Sequence, residues 1–469
     1  MRLSLLKIMY CAFFCAAVTS FAQVPTLTNV SVAGPECLSG AGGSYLPTFS
    51  EEGGAIAFLS HANNLVTNDD SGLSLDVFLS DTSGQSMELI SVNRSRVGGG
   101  NADSTHPLVS RYGTMIVFAS RSSNLTTSDT NNSVDLFLRQ RMTVSAVETR
   151  LITADRFGRG LVDPVPYSPK PLSTYPALGA DVFPDVVFQS YGTNLVNPPI
   201  ADTNNASDVF IYDPDAGARR VVSIARSGDS TGDGSSHSPQ FARPFIGFIS
   251  TASNLHVFPS ATNNNRGGDI YVVDANGAIR WASPNTRSLL TGAFPAPPST
   301  YFCFNFVLSG NGAVAYQANP GLGYPTVLLY CPFGAPSAVR ISADSDTVGR
   351  PQISHDGTLV AYSSRSNVYV WNSLTQSNIL ISANTNGLPA NGPSHSPVMD
   401  RYGSYVVFIS RATDLIPNAP TGRFQIYMRP LPNGPVRLVS ASINGGASLG
   451  DFEHSNIALP RESGVAGGV

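Results

Sequence analysis

The sequence predicts an all-β fold, a β-propeller of four-stranded antiparallel blades, most simply seven, with six or eight as the alternatives. Three observations predict it. Four short apolar segments recur in a fixed order, seven times over, at spacings between roughly 45 and 70 residues. Each is about five residues of Val, Ile, Phe, Tyr and Leu set between Gly, Asp, Asn and Pro, which is the strand signature. The 469 residues include 43 Gly and 34 Pro, which favour turns over helices, and no long stretch repeats its apolar residues at helical spacing.

The first segment is led by proline and ends in a turn, as in "PTFSEEGG" at 47, "PLVSRYG" at 107, "PQISHDG" at 351 and "PVMDRYG" at 397. The second is the most apolar: "AIAFLS", "MIVFAS", "VVFQS", "IGFIS", "AVAYQA", "LVAYSS" and "YVVFIS". Such runs fit a strand covered on both faces, here by neighbouring blades. The third opens on an acid or its substitute, as in "DVFLSD", "DLFLRQ", "DVFIYD" and "NVYVWN", and the fourth reads "MELISV", "TRLITA", "RRVVSI", "VRLVSA". One four-stranded sheet cannot bury both faces alone, so the repeats must stack as one domain. A β-solenoid would have shorter coils, and an array of sandwiches would need linkers. Two segments are surplus. "LTNVSVAG" at 27 reads as a fourth segment without its blade, and "SNIALPRESG" at 455 as a first segment without a successor, so the ends suit an extra partial blade.

Residues 1–22 read as a signal peptide. Arg2 and Lys7 supply the positive start, Ile8 to Val18 the apolar run, and Ser20 and Ala22 the small residues before a cleavage site at Gln23. The mature chain, 23–469, is then expected to be one propeller domain without a membrane span, periplasmic or secreted, and monomeric. Cys37, Cys303 and Cys331 remain after cleavage; the compartment permits a disulfide, and the pairing is open. The formal net charge is −4, Lys7 and Lys170 are the only lysines, and no basic run is visible, so a nucleic-acid partner is not expected.

The order P-x-x-S-x-D-G, V-A-F-x-S, N-L, D-V-F, R-V-S resembles the TolB-like, WD-repeat-like β-propellers of exported bacterial proteins. "PQISHDGTLVAYSS" at 351 is close to that pattern, and "NLTTSDTNNSVDLFL" and "NLVNPPIADTNNASDVFIYD" are similar to a longer variant in secreted members. The resemblance spans residues 28 to 464. It implies the fold and says little of activity, since such propellers include periplasmic binding partners, sugar-processing enzymes and accessory domains of peptidases.

Alternating strand directions put the tight 1–2 and 3–4 turns on one face and the long 2–3 and 4–1 connections on the other. The long-loop face is therefore where a binding site is expected. Two features meet there. Before the innermost strand stand "STHP", "STYP" and "SHSP", so that Tyr45, His106, Tyr175, His237 and His395 are candidates for a ligand-binding rim at the channel mouth; the competing reading is hydrogen bonding between blades. Between strands 2 and 3 lies "DTNNSVD". Asp129, Asn131, Ser133 and Asp135, with Asp202, Asn204 and Asp208 one repeat later, place oxygens at alternate positions, as a calcium loop does. An EF-hand would need Gly at Val134 and Glu at Gln140. Asn367 keeps the last position of the motif in a repeat that has lost the rest, which favours turn chemistry: a side chain that accepts a backbone N–H and starts the strand. Calcium is the one cofactor the sequence offers, and none is required.

No G-x-S-x-G, H-E-x-x-H, P-loop or C-x-x-C is present, so the sequence leans away from an enzyme without deciding the matter. The expected function is an exported binding or scaffold module for a protein or polysaccharide. A propeller-based lyase or glycosidase and a structural envelope protein are the alternatives.

Overall fold

A computed structural model describes residues 32–33, 38–50, 52–68, 72, 74–84, 86–143, 146–161, 173–178, 185–195, 197–255, 267–293, 300–321, 323–342, 348–419 and 422–441. The signal segment, Cys37, the segment at 455 and most of the segment at 27 lie outside them.

A short hairpin, β1 (Val32–Ala33) with β2 (Leu38–Ser39), precedes seven antiparallel sheets, each built from four consecutive strands. Blade 1 is β3 (Ser44–Phe49), β4 (Ala55–Ser60), β5 (Asp76–Asp81) and β6 (Met87–Leu89). Blade 2 is β7 (Ser104–Val109), β8 (Met115–Ser120), β9 (Asp135–Thr143) and β10 (Ala146–Leu151). Blade 3 is β11 (Ser173–Leu178), β12 (Val186–Ser190), β13 (Asp208–Asp213) and β14 (Ala218–Val221). Blade 4 is β15 (Ser236–Ala242), β16 (Phe245–Ser250), β17 (Asp269–Val273) and β18 (Ile279–Trp281). A helix, α1 (Thr286–Ala293), leads to blade 5: β19 (Phe302–Leu308), β20 (Val314–Asn319), β21 (Val327–Cys331) and β22 (Val339–Arg340). Blade 6 is β23 (Gln352–Ile353), β24 (Leu359–Ser364), β25 (Asn367–Asn372) and β26 (Ser377–Leu380). Blade 7 is β27 (Ser394–Met399), β28 (Tyr405–Ser410), β29 (Gln425–Pro430) and β30 (Arg437–Leu438). The fold is thus the expected seven-bladed propeller, and first strands of successive blades lie against one another at its inside.

One hydroxyl ties the third strand to the fourth. Ser223 Oγ accepts the N–H of Val209 at 3.0 Å and donates to Asp208 Oδ1 at 2.7 Å. The same two bonds join Ser91 to Val77 and Asp76, Thr153 to Leu136 and Asp135, and Ser283 to Ile270 and Asp269. They also join Ser382 to Val368 and Asn367, and Ser440 to Ile426 and Gln425. In blade 5 Ser342 receives the N–H of Leu328, but Val327 stands in place of the acid. The last Asp of the motif acts on the start of the third strand through this hydroxyl: Asp135 accepts from Thr153 Oγ1, which in turn accepts the N–H of Leu136.

The blades pack through alternation. Rings on the second and third strands stack across the ladder: Phe58 on Phe78, Phe118 on Phe137, Phe188 on Phe210, Phe248 on Tyr271, Tyr362 on Tyr369, Phe408 on Tyr427. Their centroids lie between 5.7 and 5.9 Å apart. Each pair contributes about 1 kcal/mol beyond its burial. Period-2 alternation puts these rings on one face, against the preceding blade, and smaller aliphatic residues on the other. Ala57, Leu59 and Val77 of blade 1 meet Phe118 and Phe137 of blade 2, while Met115, Val117 and Leu138 of blade 2 meet Phe188 and Phe210 of blade 3.

The tight 1–2 turns need a left-handed residue, and Gly53, Gly113, Gly312, Gly357 and Gly403 supply it with φ between 67 and 82°. Helix α1 has no counterpart in the strand repeats. Its Leu290 is buried in the core between blades 4 and 5, and Thr286 Oγ1 lies 2.8 Å from the Tyr316 hydroxyl. Cys303 and Cys331 are both free and buried in that core, and burial pushes the Cys331 thiol up to about 12. Among the described residues no helix is long and apolar enough to cross a membrane.

The clip yields a graded expectation. Ser223→Ala leaves a buried N–H and one carboxyl oxygen, Asp208 Oδ1, without a partner, while Oδ2 keeps Asn204, and should cost about 3 kcal/mol. Ser342→Ala, in the blade without the acid, should cost about 1 kcal/mol. Urea unfolding of the two variants beside the parent measures the difference; equal losses would remove the acid from the clip.

Candidate functional site

The first strands of five blades carry a bulge where the rim candidates sit. Pairing with the second strand shifts between Tyr45 and Thr48, Thr105 and Leu108, Thr174 and Ala177, His237 and Gln240, and His395 and Val398. In four of them the residue before proline is left-handed: Leu46, His106, Ser238 and Ser396, with φ between 50 and 54°. The candidates therefore occupy two successive positions. Tyr45, His237 and His395 pair across to Leu59, Ile249 and Ile409, whereas His106 stands one residue later, within the bulge. Tyr175 shares the position of His106 in β11, and its side chain lies outside the described residues.

The histidines bond locally. Nδ1 of His106 is 3.0 Å from Thr105 Oγ1, that of His237 is 3.0 Å from Ser238 Oγ, and that of His395 is 2.9 Å from Ser396 Oγ. Tyr45, half exposed, meets His61 edge-on at 6.2 Å. Among the described residues no three His, Cys, Asp or Glu side chains gather closely enough to hold a metal.

The acidic loops are built from the turn upward. Asp129 Oδ1 accepts the N–H of Asn131, and Asn131 Oδ1 accepts the N–H of Ser133, two nested Asx turns. Asn131 Nδ2 then donates to Asp135 Oδ2 at 2.9 Å and to the carbonyl of Leu161, in the connection to blade 3, at 2.7 Å. Asn204 repeats this one blade on, donating to Asp208 Oδ2 at 3.0 Å and to the carbonyl of Gly232 at 2.6 Å. The loops thus bolt blade 2 to blade 3 and blade 3 to blade 4. Burial pushes both Asp135 and Asp208 up to about 7, against the pull of Thr153 and Ser223, with Asp129 and Asp202 adding repulsion.

A feature the sequence did not announce lies on the flank of blades 1 to 3. Two cavities, of about 500 and about 430 Å³, share Arg96 and Arg139. Arg94, Arg150 and Arg219 also line the larger one, where Glu148 is the only carboxylate among the described residues. Asn93, Thr126, Thr127, Ser128 and Thr149 add polar groups, and Glu88 lines the smaller one. Arg139 rises from β9 and is 7 % exposed. Its Nη1 donates to Thr149 Oγ1 at 2.9 Å, and its Nε is buried with no partner. Burial pulls this guanidinium below its usual range; Glu88 opposes that, and Arg96 and Arg141 add to it. Arg150 and Arg219 are partly used, donating to the carbonyls of Pro214 and of Leu151 and Ile152. Beside the groove, on tips of the long connections, Val97 is 73 % and Phe157 65 % exposed, and Arg156 and Arg159 lie over the Phe157 ring. Arginine and an exposed aromatic are the residues that partner surfaces favour.

No family model matches the chain, and no curated protein does. Solved TolB structures are among those it matches. That of TolB from Acinetobacter baumannii is 13 % identical, covers 89 % of this chain and 88 % of its own, and has a TM-score of 0.32. A putative TolB from Agrobacterium tumefaciens is 11 % identical over 64 % of this chain and 80 % of its own, with a TM-score of 0.34. An oligogalacturonate lyase from Vibrio parahaemolyticus is 13 % identical over 83 % of this chain and 89 % of its own, with a TM-score of 0.43.

The acidic loops carry a pH dependence. Both carboxyls titrate higher folded than unfolded, so the stability they contribute is full below about pH 3.8 and is lost as pH rises through about 7. With a chelator present, unfolding midpoints should fall over that window, and Asp135→Asn with Asp208→Asn should flatten the slope. A slope unchanged in the double variant would assign it to other groups.

Proposed function

We propose that the protein is an exported, monomeric propeller whose signal is cleaved after Ala22 and which binds a negatively charged protein or polysaccharide in the arginine groove. The observation that carries this reading is Arg139. A guanidinium buried beside Arg96 and Arg141, with an unpartnered Nε, raises the cost of its own desolvation unless an anion approaches. Guanidinium groups suit carboxylate, sulfate or phosphate through paired N–H donors. The groove opens beside the long connections, where the scaffold leaves room for variation. In the acidic loops Asp135 and Asp208 are engaged with hydroxyl and amide donors, which supports binding over turnover as the role of this face.

The test is a pull-down with the mature protein on its own envelope fraction. A partner should be retained at low salt, released at high salt, and lost from Arg94→Glu with Arg96→Glu, whose positions are exposed and should tolerate the change. Retention that ignores both salt and the two substitutions would place the partner elsewhere. Turnover of a sugar polymer with no partner retained would replace binding with catalysis.

A further inference from the structure

The acidic loops of blades 2 and 3 share one anomaly. Asp129 Oδ2 and Asp202 Oδ2 stand at equivalent places in the two loops, and both are buried without a hydrogen-bond partner. Asp129 is 1 % exposed, so its orphaned oxygen has no access to solvent in compensation. A buried acceptor left unpaired is costly, and a buried carboxylate more so. Finding it once is a local accident; finding it at the same atom in two successive blades is a property of the loop.

The surroundings are oxygen-rich. Asp129 Oδ1 and Asp135 Oδ2 both come within 3.1 Å of the point where a Cβ on Gly160 would sit, so a side chain there would fill the space before the two carboxylates. In blade 3, Asp208 Oδ2 and the carbonyls of Gly232 and Gly234 converge on one atom, Asn204 Nδ2, at 3.0, 2.6 and 3.4 Å. Thr231 Oγ1 lies 3.4 Å from Asp202 Oδ1. The amide nitrogen therefore stands at the centre of an oxygen shell. Two carboxylates, carbonyls, a hydroxyl and, with its amide turned over, Asn204 Oδ1 form a donor set of the six to eight oxygens that calcium takes in flexible geometry.

We propose that the Asp129–Asp135 and Asp202–Asp208 loops are two calcium sites that staple blade 2 to blade 3 and blade 3 to blade 4. The asparagine amide turns over, releasing the N–H of Ser133 or Ala206, and the ion lies among its Oδ1, the orphaned carboxylate oxygen and the carbonyls. The neighbouring blade contributes through the carbonyls of Leu161 and of Gly232 and Gly234, so each ion spans a blade boundary. Magnesium, which demands a smaller octahedral shell, fits poorly. The reading is independent of the arginine groove.

The test uses the mature chain freed of divalent ions with a chelator. Calcium at millimolar concentration should raise the melting temperature by roughly 2 °C or more, and magnesium should raise it much less. Asp129→Asn with Asp202→Asn should abolish the rise, while Asp215→Asn, in an outer turn, should keep it. Should the double variant fail to fold, calorimetric titration of the parent with calcium decides: a stoichiometry near two supports the sites. No rise with calcium, an equal rise with magnesium, or a rise that survives in the double variant overturns the proposal.

Discussion

The hydroxyl two residues past the fourth strand is the point on which the blade depends. It alone meets two demands at the loop end of the sheet: the first N–H of the third strand and the carboxyl beneath it. Without the hydroxyl a buried amide would lack its partner and the acid would lose one of its donors, keeping Asn131, Asn204 or Tyr301 in blades 2 to 4. The outer strands are short, as few as two residues in blades 5 and 7. Ladder bonds are few there, so a side-chain bond made twice counts for more than it would in a long strand.

That constraint explains how much of the fold was legible. The repeats gave away the blades because every copy must solve the same packing problem: rings on one face, small aliphatic residues on the other, a glycine where φ turns positive. Each shows in a few consecutive letters. The serine past the fourth strand was harder to see, because it lies some 14 residues beyond its partner N–H, and serine is common in turns for other reasons. Helix α1 escaped because eight residues are too few to establish a helical period.

The candidate site was legible only in part. The acidic loops are contiguous, so their alternating oxygens could be read directly, although which atom each carboxyl would serve could not. The rim residues could be named, but His106 stands one residue later in S-T-H-P than His237 in S-H-S-P, and a one-residue shift in a strand decides which side a residue occupies. The arginine groove could not be read at all. Arg94, Arg139 and Arg219 come from three different blades, and only the curvature of the propeller brings them to one flank. The absence of a basic run was a sound observation that did not bear on this kind of cluster.

Blade 5 departs from its neighbours at two coupled positions. In the other six blades the serine that ends the second strand pairs across the ladder with the acid or amide that begins the third, as Ser60 does with Asp76 and Ser410 with Gln425. In blade 5 both members are apolar, Ala318 opposite Val327. Neither half of that exchange is comfortable alone, since an acid beside alanine loses a polar neighbour and a serine beside valine gains an apolar one. Asp, Asn and Gln thus interchange opposite an unchanged serine, whereas the exchange to apolar residues involves both partners, so that loss of polarity at the blade rim should be recorded as a paired substitution.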